Sequence, residues 1–247
     1  MSVELRRGGV RLFFTIPNIF TLLNLVSGFI SIYFAVMSNY MLSFALILIA
    51  VVFDGLDGFV ARKLNAANDF GRELDSLCDE VSFGVAPAFL LLEVTLNNNP
   101  ELAIYAIIIG AIFAAFGALR LARFNLFGSK EFFEGLAIPG AAFFVGLTVN
   151  CVYDISPIAA LFLVLITAFL MVSPIAFPST KTSIGIKSVA VSLVGGLIYF
   201  GIWLLIAMVE FSVISLVLWL LFYLMLSYIT ISPIVFNNMM RKAQKMK

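Results

Sequence analysis

Long apolar runs separated by short polar segments cover most of this 247-residue chain. A helix needs about 20 apolar residues to cross the hydrocarbon core of a bilayer. The fifth run is shorter than the others and contains Pro139, a residue that disfavours a helix interior. The runs predict an all-α fold, a polytopic transmembrane helical bundle forming one integral membrane domain over residues 1–247. The eight predicted spans are residues 17–37, 40–61, 73–93, 101–123, 137–153, 157–177, 188–208 and 211–233.

Two polar stretches flank these spans. Residues 3–14 mix basic and apolar positions, which is typical of a segment lying in the membrane interface. Residues 62–72 connect the second and third spans, and Asn68 or Asp69 is expected to cap the helix that follows. The first apolar run is of full length and lacks a small-residue cleavage site, so we expect no cleavable signal peptide.

The positive charges indicate an orientation. Cytoplasmic loops of membrane proteins concentrate lysine and arginine. If the N-terminus is cytoplasmic, all 15 basic residues fall in inner segments, at residues 6–11, 62–72, 120–130, 181–187 and 241–247. The outer loops then carry only acidic charges. The pattern therefore predicts eight spans with both termini in the cytoplasm.

Composition narrows the class of protein and its chemistry. The chain is 62% hydrophobic and 12% charged, against roughly 45–50% and 25% in soluble domains. Such a sequence cannot hide its apolar surface from water, which excludes a soluble protein. It contains no histidine, and its two cysteines lie far apart. Histidine-dependent catalysis, a zinc site and a disulfide framework are therefore not supported.

Four aspartates are the candidate catalytic or metal-binding residues. Asp54 and Asp57 close the second span, and Asp75 and Asp79 open the third. At about 100° per residue, each pair lies on one side of its helix. The short connection makes the two helices antiparallel neighbours, so all four carboxylates can meet at one depth. One such aspartate could be a buried ion pair, but too few cations lie nearby to neutralise four.

The neighbouring residues suggest what the carboxylates handle. An all-oxygen ligand set suits Mg²⁺ or Mn²⁺, with Ca²⁺ as an alternative. Gly58 and Gly71 lie at the same membrane level, where a missing side chain lets a phosphate approach the backbone. Arg62 can clamp phosphate oxygens. Together these residues predict a pyrophosphate-handling site.

The same residues carry a family resemblance. The pattern D-x-x-D-G-x-x-A-R, eight residues, then G-x-x-x-D-x-x-x-D resembles the signature of the CDP-alcohol phosphotransferase (CDP-alcohol phosphatidyltransferase) family. Every fixed position is met, by Asp54, Asp57, Gly58, Ala61, Arg62, Gly71, Asp75 and Asp79.

The resemblance implies a six-helix core and a cytoplasm-facing cavity with two divalent cations. It implies that all four aspartates are metal ligands and that Asp79 is also the general base. CMP, the leaving group, would lie against Gly58, Ala61, Arg62 and Gly71. The enzyme would lie in a cell membrane. The two helices beyond six, 188–208 and 211–233, are expected to serve packing or a homodimer.

Acceptor choice rests on further segments. Residues 17–29, 75–88 and 119–125 resemble the integral membrane phosphatidylserine synthase branch of the family, or its archaeal archaetidylserine counterpart. This implies transfer of a phosphatidyl group from a CDP-activated lipid to L-serine. Asn18, Thr21 and Asn24, polar at helical spacing, are candidates for CDP-lipid binding or for interhelical hydrogen bonds. The candidate serine-binding residues are Arg120 and Arg123 for the carboxylate, and Glu80, Ser82 and Asn125 for the ammonium group.

Three alternatives remain open. Arg120 and Arg123 are equally compatible with snorkelling to lipid head groups. A related transferase could use glycerol 3-phosphate or an inositol phosphate, with Lys130 and Lys181 as further cations. From a different class, a cation transporter would explain the aspartates, but it gives no role to Gly58, Arg62 and Gly71. No nucleic-acid partner is expected.

Overall fold

The computed structural model describes residues 15–127, 132–153, 156–178, 182–206 and 212–245. A π-helical segment, Glu80–Val85, joins α3 to α4 without a break, and a 3₁₀ turn, Pro100–Leu102, precedes α5. The predicted interfacial stretch at 3–14 lies outside the described residues. The helices are α1 (Ile16–Val36), α2 (Tyr40–Lys63), α3 (Asp69–Asp79), α4 (Ala86–Asn98), α5 (Ala103–Phe127), α6 (Ile138–Cys151), α7 (Pro157–Val172), α8 (Ser183–Ile206) and α9 (Val213–Lys245).

The helices are those of a multi-pass membrane protein. Five helical segments are long and apolar enough to cross a bilayer, namely Ile16–Val36, Tyr40–Lys63, Pro100–Phe127, Ser183–Leu205 and Val213–Arg241. The shorter α6 and α7 are also apolar. The predicted third span corresponds to the continuous run of α3, the π-helical segment and α4. The prediction of a polytopic helical bundle is confirmed.

Helix starts follow local sequence signals. The Asn68 side chain accepts a hydrogen bond from Gly71 N at 2.8 Å and caps α3, as one of the two expected caps. Pro139 lies in the first turn of α6. A proline is tolerated there because the first helical N–H groups have no partner within the helix.

Several helix ends differ from the predicted spans, two of them at or beyond a proline. The sixth span was expected to reach residue 177, but α7 ends at Val172. Pro174 follows, and the residue before a proline prefers extended backbone, as Ser173 shows with ψ 154°. The eighth span was expected to end at residue 233, but α9 continues through Pro233 to Lys245.

A two-stranded antiparallel ribbon is the element that the apolar pattern does not reveal. Strand β1 (Phe132–Glu134) pairs with β2 (Ala176–Pro178), with Glu134 opposite Ala176. Three-residue strands are too short to produce a detectable alternation of apolar and polar positions. The ribbon connects the ends of α5 and α7.

The packing of α1 against α2, α3 and the π-helical segment positions the candidate site. α8 and α9 form a hairpin that packs on α6 and β2, chiefly through α9. Hydroxyl groups join the hairpin: Ser188 Oγ donates to Ser232 O at 2.7 Å, and Ser227 Oγ donates to Ser192 O. Such interhelical hydrogen bonds are common where small residues let two membrane helices approach.

Candidate active site

Three of the four aspartates form a compact cluster. One carboxylate oxygen from each of Asp54, Asp57 and Asp75 lies within 4.8 Å of the other two. Asp57 is buried, and Asp54 and Asp75 are partly buried. Asp79 is buried and interacts electrostatically with Asp54 and Asp75. The ends of α2 and α3 that carry these aspartates therefore meet at one cluster, as their spacing predicts.

The polar residues of α1 contact these carboxylates. Thr21 Oγ1 donates a hydrogen bond of 2.7 Å to Asp57 Oδ2. Asn24 Nδ2 donates one of 2.9 Å to Asp79 Oδ1. For Thr21 and Asn24 the structure thus shows the interhelical hydrogen bonds that the sequence left open. Each bond occupies one carboxylate oxygen and orients the other, which is how supporting residues commonly fix ligands.

A close approach between α1 and the π-helical segment fixes Asn24. Ser82 Oγ donates a hydrogen bond of 2.9 Å to Asn24 O. A Cβ atom on Gly28 would lie 2.6 Å from Ser82 Cα, so only glycine fits there. The Ser82 side chain is fully buried in this contact. Short π-helical segments inside α-helices occur frequently at functional sites.

A cavity of about 400 Å³ opens beside the cluster. The guanidinium of Arg62 lies over Gly58, where a Cβ would be 3.2 Å from its Nη1. Gly71 leaves similar room for Asn18 Oδ1, at 3.3 Å. The cavity is lined by the carboxylates of Asp57 and Asp75 and by six of the residues predicted to bind the CDP-lipid, Asn18, Thr21, Gly58, Ala61, Arg62 and Gly71.

Sequence reasoning missed the loop side of this cavity. Ala66, Ala67, Asn68, Asp69 and Arg72 also line it. From the sequence, Asn68 is predicted only as a helix cap. The polar composition of residues 62–72 and their position between the two aspartate pairs were the available signal.

The five predicted serine-binding residues lie in different environments. Arg120 is 7% exposed, interacts electrostatically with Asp79 and Asp54, and stacks over Phe124 at 5.2 Å. Glu80 Oε2 is buried and has no hydrogen-bond partner in the described part of the chain. The carboxylate of Glu80 packs between Gly84 and Gly117.

The other three of these residues use their polar groups within the protein. Ser82 donates to α1, as described, and Asn125 Nδ2 donates to Ser76 Oγ at 2.9 Å. Arg123 donates to backbone carbonyls, including Glu134 O at 2.6 Å. The structure therefore distinguishes Arg120, which interacts electrostatically with Asp79 and Asp54, from Arg123, which donates hydrogen bonds to the ribbon. The sequence treats the two arginines alike.

The donor set fits a hard divalent cation. Asp75 Oδ1 is buried and lacks a hydrogen-bond partner among the described residues. Together with the neighbouring oxygens of Asp54 and Asp57, it forms an oxygen-only ligand group of the kind that Mg²⁺ and Mn²⁺ prefer. Carboxylates this close repel one another, and a cation bound between them would remove the repulsion.

Comparison with known proteins agrees with this geometry. The family model described as CDP-alcohol phosphatidyltransferase matches residues 14–195. The chain is 43% identical over 185 residues to a CDP-diacylglycerol–serine O-phosphatidyltransferase of Methanocaldococcus jannaschii, covering 74% of this chain and 84% of the relative. It is 37% identical to an archaetidylserine synthase of Methanothermobacter thermautotrophicus over 67% of this chain and 70% of the relative. A CDP-diacylglycerol–serine O-phosphatidyltransferase of Bacillus subtilis is 36% identical, over 67% of this chain and 91% of the relative.

Proposed function

The chain belongs to the CDP-alcohol phosphatidyltransferase family, and from this premise we propose that it transfers a phosphatidyl group from a CDP-activated lipid to the hydroxyl of L-serine, releasing CMP. The observation that carries the proposal is the carboxylate cluster of Asp54, Asp57 and Asp75 beside a cavity lined by the glycines and arginine of the signature. The choice of L-serine as the acceptor is inferred from the relatives whose names specify serine.

The cavity is assigned to the CMP half of the donor lipid. Arg62, held over Gly58, faces the phosphates, where its planar donors pair with two oxygens at once. Ala61 and Gly71 leave room for the nucleotide, and Asn18 and Thr21 line the α1 side. Asn24 supports Asp79 instead, through the hydrogen bond described above.

Asp79 is assigned as the general base. The serine oxygen attacks the phosphorus that carries the lipid, and the bond from that phosphorus to the bridging oxygen breaks. CMP leaves with the bridging oxygen and its electron pair, and the serine proton passes to Asp79. A positioned carboxylate can accept this proton as attack proceeds. The Asn24 hydrogen bond holds one oxygen of Asp79, so the other is oriented for the proton.

Metal dependence is general in this family, and the aspartates form the group able to bind metal ions. We assign two divalent cations, Mg²⁺ or Mn²⁺ with Ca²⁺ as an alternative, to Asp54, Asp57, Asp75 and Asp79. Bound cations would offset charge on the phosphate oxygens and on the departing CMP. The aspartates hold them, and Thr21 orients Asp57 for this purpose.

Serine recognition is assigned to two of the five candidates. Arg120 is a buried cation beside the cluster and suits the serine carboxylate. Glu80 has a carboxylate oxygen without a partner in the described chain and suits the ammonium group. Ser82, Arg123 and Asn125 act in this proposal by supporting the surrounding helices.

A cytoplasmic site in the cell membrane, with both termini inside, follows from the distribution of basic residues. Cysteine labelling with a membrane-impermeant maleimide tests this orientation. Asn98→Cys should react in intact cells, whereas Glu73→Cys should react only after permeabilisation. The unmodified protein is the background control, because Cys78 and Cys151 are buried. Labelling of Glu73→Cys in intact cells would reverse the orientation.

A homodimer remains part of the proposal, and crosslinking in native membranes tests it.

The experiment that tests the function is CMP release by purified protein with Mg²⁺ or Mn²⁺. The donor is CDP-diacylglycerol or its archaeal ether analogue, and the acceptors are serine, glycerol 3-phosphate, inositol phosphate and none. Release with serine alone is expected. Release only with another alcohol would keep the family chemistry and remove the assignment of Arg120 and Glu80. No release from a folded, lipid-supplied sample would contradict the proposal.

A further inference from the structure

Arg123 forms a clasp between three separate parts of the chain. Its Nη1 donates to Val172 O at 3.1 Å. Its Nη2 lies 2.6 Å from Glu134 O, 3.3 Å from Met171 O and 3.4 Å from Ser173 O. The last carbonyls of a helix lack partners within the helix, and a cation there also interacts favourably with the helix dipole. One side chain of α5 therefore holds the end of α7 and the end of β1.

Gly135 lies against both the Arg123 guanidinium and the Met171 carbonyl of the clasp. Its φ of +77° lies in the left-handed region, which favours glycine. A Cβ on Gly135 would overlap the Met171 carbonyl and lie 2.9 Å from Arg123 Nη2. Gly135 N also donates to Ile175 O at 2.9 Å. Any side chain at position 135 would therefore displace the Arg123 guanidinium from its acceptors.

The clasp lies one helical turn from Arg120. Residues three apart share a face of a helix, and Arg120 and Arg123 interact electrostatically. The acceptors of Arg123 hold its guanidinium at the ribbon and at the end of α7. Arg120, in contrast, is buried and interacts electrostatically with Asp79 and Asp54. The ribbon in turn packs on the α8–α9 hairpin, where Phe177 contacts Tyr228 at 6.0 Å between ring centroids.

We propose that Arg123 is a positioning residue for the acceptor site: through the clasp with Gly135 and the end of α7, it holds the inner end of α5 so that Arg120 faces the carboxylate cluster. The inference rests on the proposed serine-binding role of Arg120. It also gives the α8–α9 hairpin a role. β2 packs on that hairpin and pairs with β1, which contains Glu134, one of the residues that Arg123 contacts.

The test is a pair of single variants and their combination in the full-length protein, Arg123→Ala, Gly135→Ala and the double variant. Steady-state CMP release gives kcat and separate KM values for serine and for the CDP-lipid. Both single variants should raise the serine KM, on the order of tenfold as expected for a slightly misplaced binding group. The CDP-lipid KM should stay within about twofold of the wild-type value. The serine KM of the double variant should be no higher than that of the more strongly affected single variant.

Other outcomes overturn the proposal. A raised serine KM in Arg123→Ala with a normal value in Gly135→Ala, or effects that multiply, would mean that Arg123 contacts serine directly. Loss of kcat and thermal stability without a selective rise in the serine KM would leave only a structural role. Arg241→Gln, an exposed arginine near the end of α9, is the matched control and should leave both KM values unchanged.

Conservative variants keep the test decisive if the alanine variants do not fold. Arg123→Gln retains N–H donors for the carbonyls without the charge, and should keep the serine KM closer to the normal value than Arg123→Ala does. Arg123→Lys retains both N–H donors and the charge that favours the end of α7, and should do the same. A serine KM that stays as high as in Arg123→Ala, in variants whose thermal stability is restored, would overturn the clasp. The wild-type protein must first release CMP with serine, and its failure to do so would count against the proposed function instead.

Discussion

Asp79 accepts a hydrogen bond from an amide, whereas Asp57 accepts one from a hydroxyl. Asp79 is buried, and the amide of Asn24 occupies one of its oxygens. Replacing Asp79 by Asn keeps the shape and removes the ability to accept a proton. We therefore expect Asp79→Asn to lower CMP release by at least about a hundredfold, the usual scale for losing a general base. Binding of the CDP-lipid to the purified variant should remain detectable by calorimetry. Near-normal turnover in the variant would remove Asp79 as the base.

Thr21 offers a milder test of the same site. Its hydroxyl donates to Asp57 Oδ2 at 2.7 Å, and valine has the same shape without the hydroxyl. Loss of a group that orients a metal ligand typically weakens metal affinity about 10–100-fold. Thr21→Val should therefore need more Mg²⁺ for half-maximal activity, with a smaller change at saturating metal.

Thr148→Val is the control for this substitution. Thr148 is also buried, and its hydroxyl donates at 2.8 Å to Phe144 O, a backbone carbonyl of its own helix. Its metal requirement should be unchanged. A similar shift in both variants would assign the effect of Thr21→Val to helix packing.

At this scale the sequence predicts residue types better than residue roles. The aspartates, glycines and Arg62 could be identified because their spacing repeats with the helix turn. The partners of Arg123 and Ser82 could not, because both bond to backbone atoms far away in sequence, at Glu134, Met171 and Asn24. Backbone acceptors leave no mark in the sequence.

The contact between α1 and the π-helical segment is an element-level constraint on the site. A Cβ at Gly28 would press on the Cα of Ser82, and the backbone there cannot yield as a flexible side chain can. Gly28→Ala should separate the two elements and pull Asn24 away from Asp79. We expect lower thermal stability, by about 1–3 kcal/mol as in other overpacked sites, together with a lower kcat.

Gly201→Ala is the matched control, since a Cβ at Gly201 in α8 meets no atom of the described residues within 4 Å, apart from its own stretch of helix. Alanine favours a helix over glycine, so this variant should be as stable as the wild type or more so. Thermal unfolding and CMP release, measured on both variants, separate the packing effect from the substitution itself. Equal stability of the two variants would contradict the close approach at Gly28.

The elements themselves follow from apolar run length, since a bilayer demands a minimum helix length. The exceptions have local causes. Pro174 ends α7 before the apolar run stops, and the freed residues form β2. The π-helical segment has no sequence signature of its own, because its six residues mix polar and apolar types as an α-helix at this depth also does. Pairing of two three-residue strands depends on where α5 and α7 end in space.

For the whole molecule, the carboxylates that are proposed to bind the metal for catalysis also lower the stability of the metal-free fold. Three carboxylates with oxygens within 4.8 Å of one another repel, and their burial raises the cost of charge. Divalent cations that bind the folded protein should therefore stabilise it, by an amount that grows with metal concentration. Chelation should abolish CMP release and lower the unfolding temperature, and added Mg²⁺ or Mn²⁺ should restore both.

Asp75→Asn separates the two effects, because it removes one charge from the cluster while keeping the side-chain shape. In chelator, this variant should unfold at a higher temperature than the wild type, since one repelling charge is gone. Added metal should raise its unfolding temperature less than that of the wild type, and CMP release should be lost. Thermal unfolding with and without Mg²⁺, beside Glu73→Gln as an exposed acidic control on the same helix, measures both. Equal metal-induced shifts in Asp75→Asn and the wild type would place the cation elsewhere in the molecule, whereas a reduced shift with lost turnover would tie stability and catalysis to the same carboxylates.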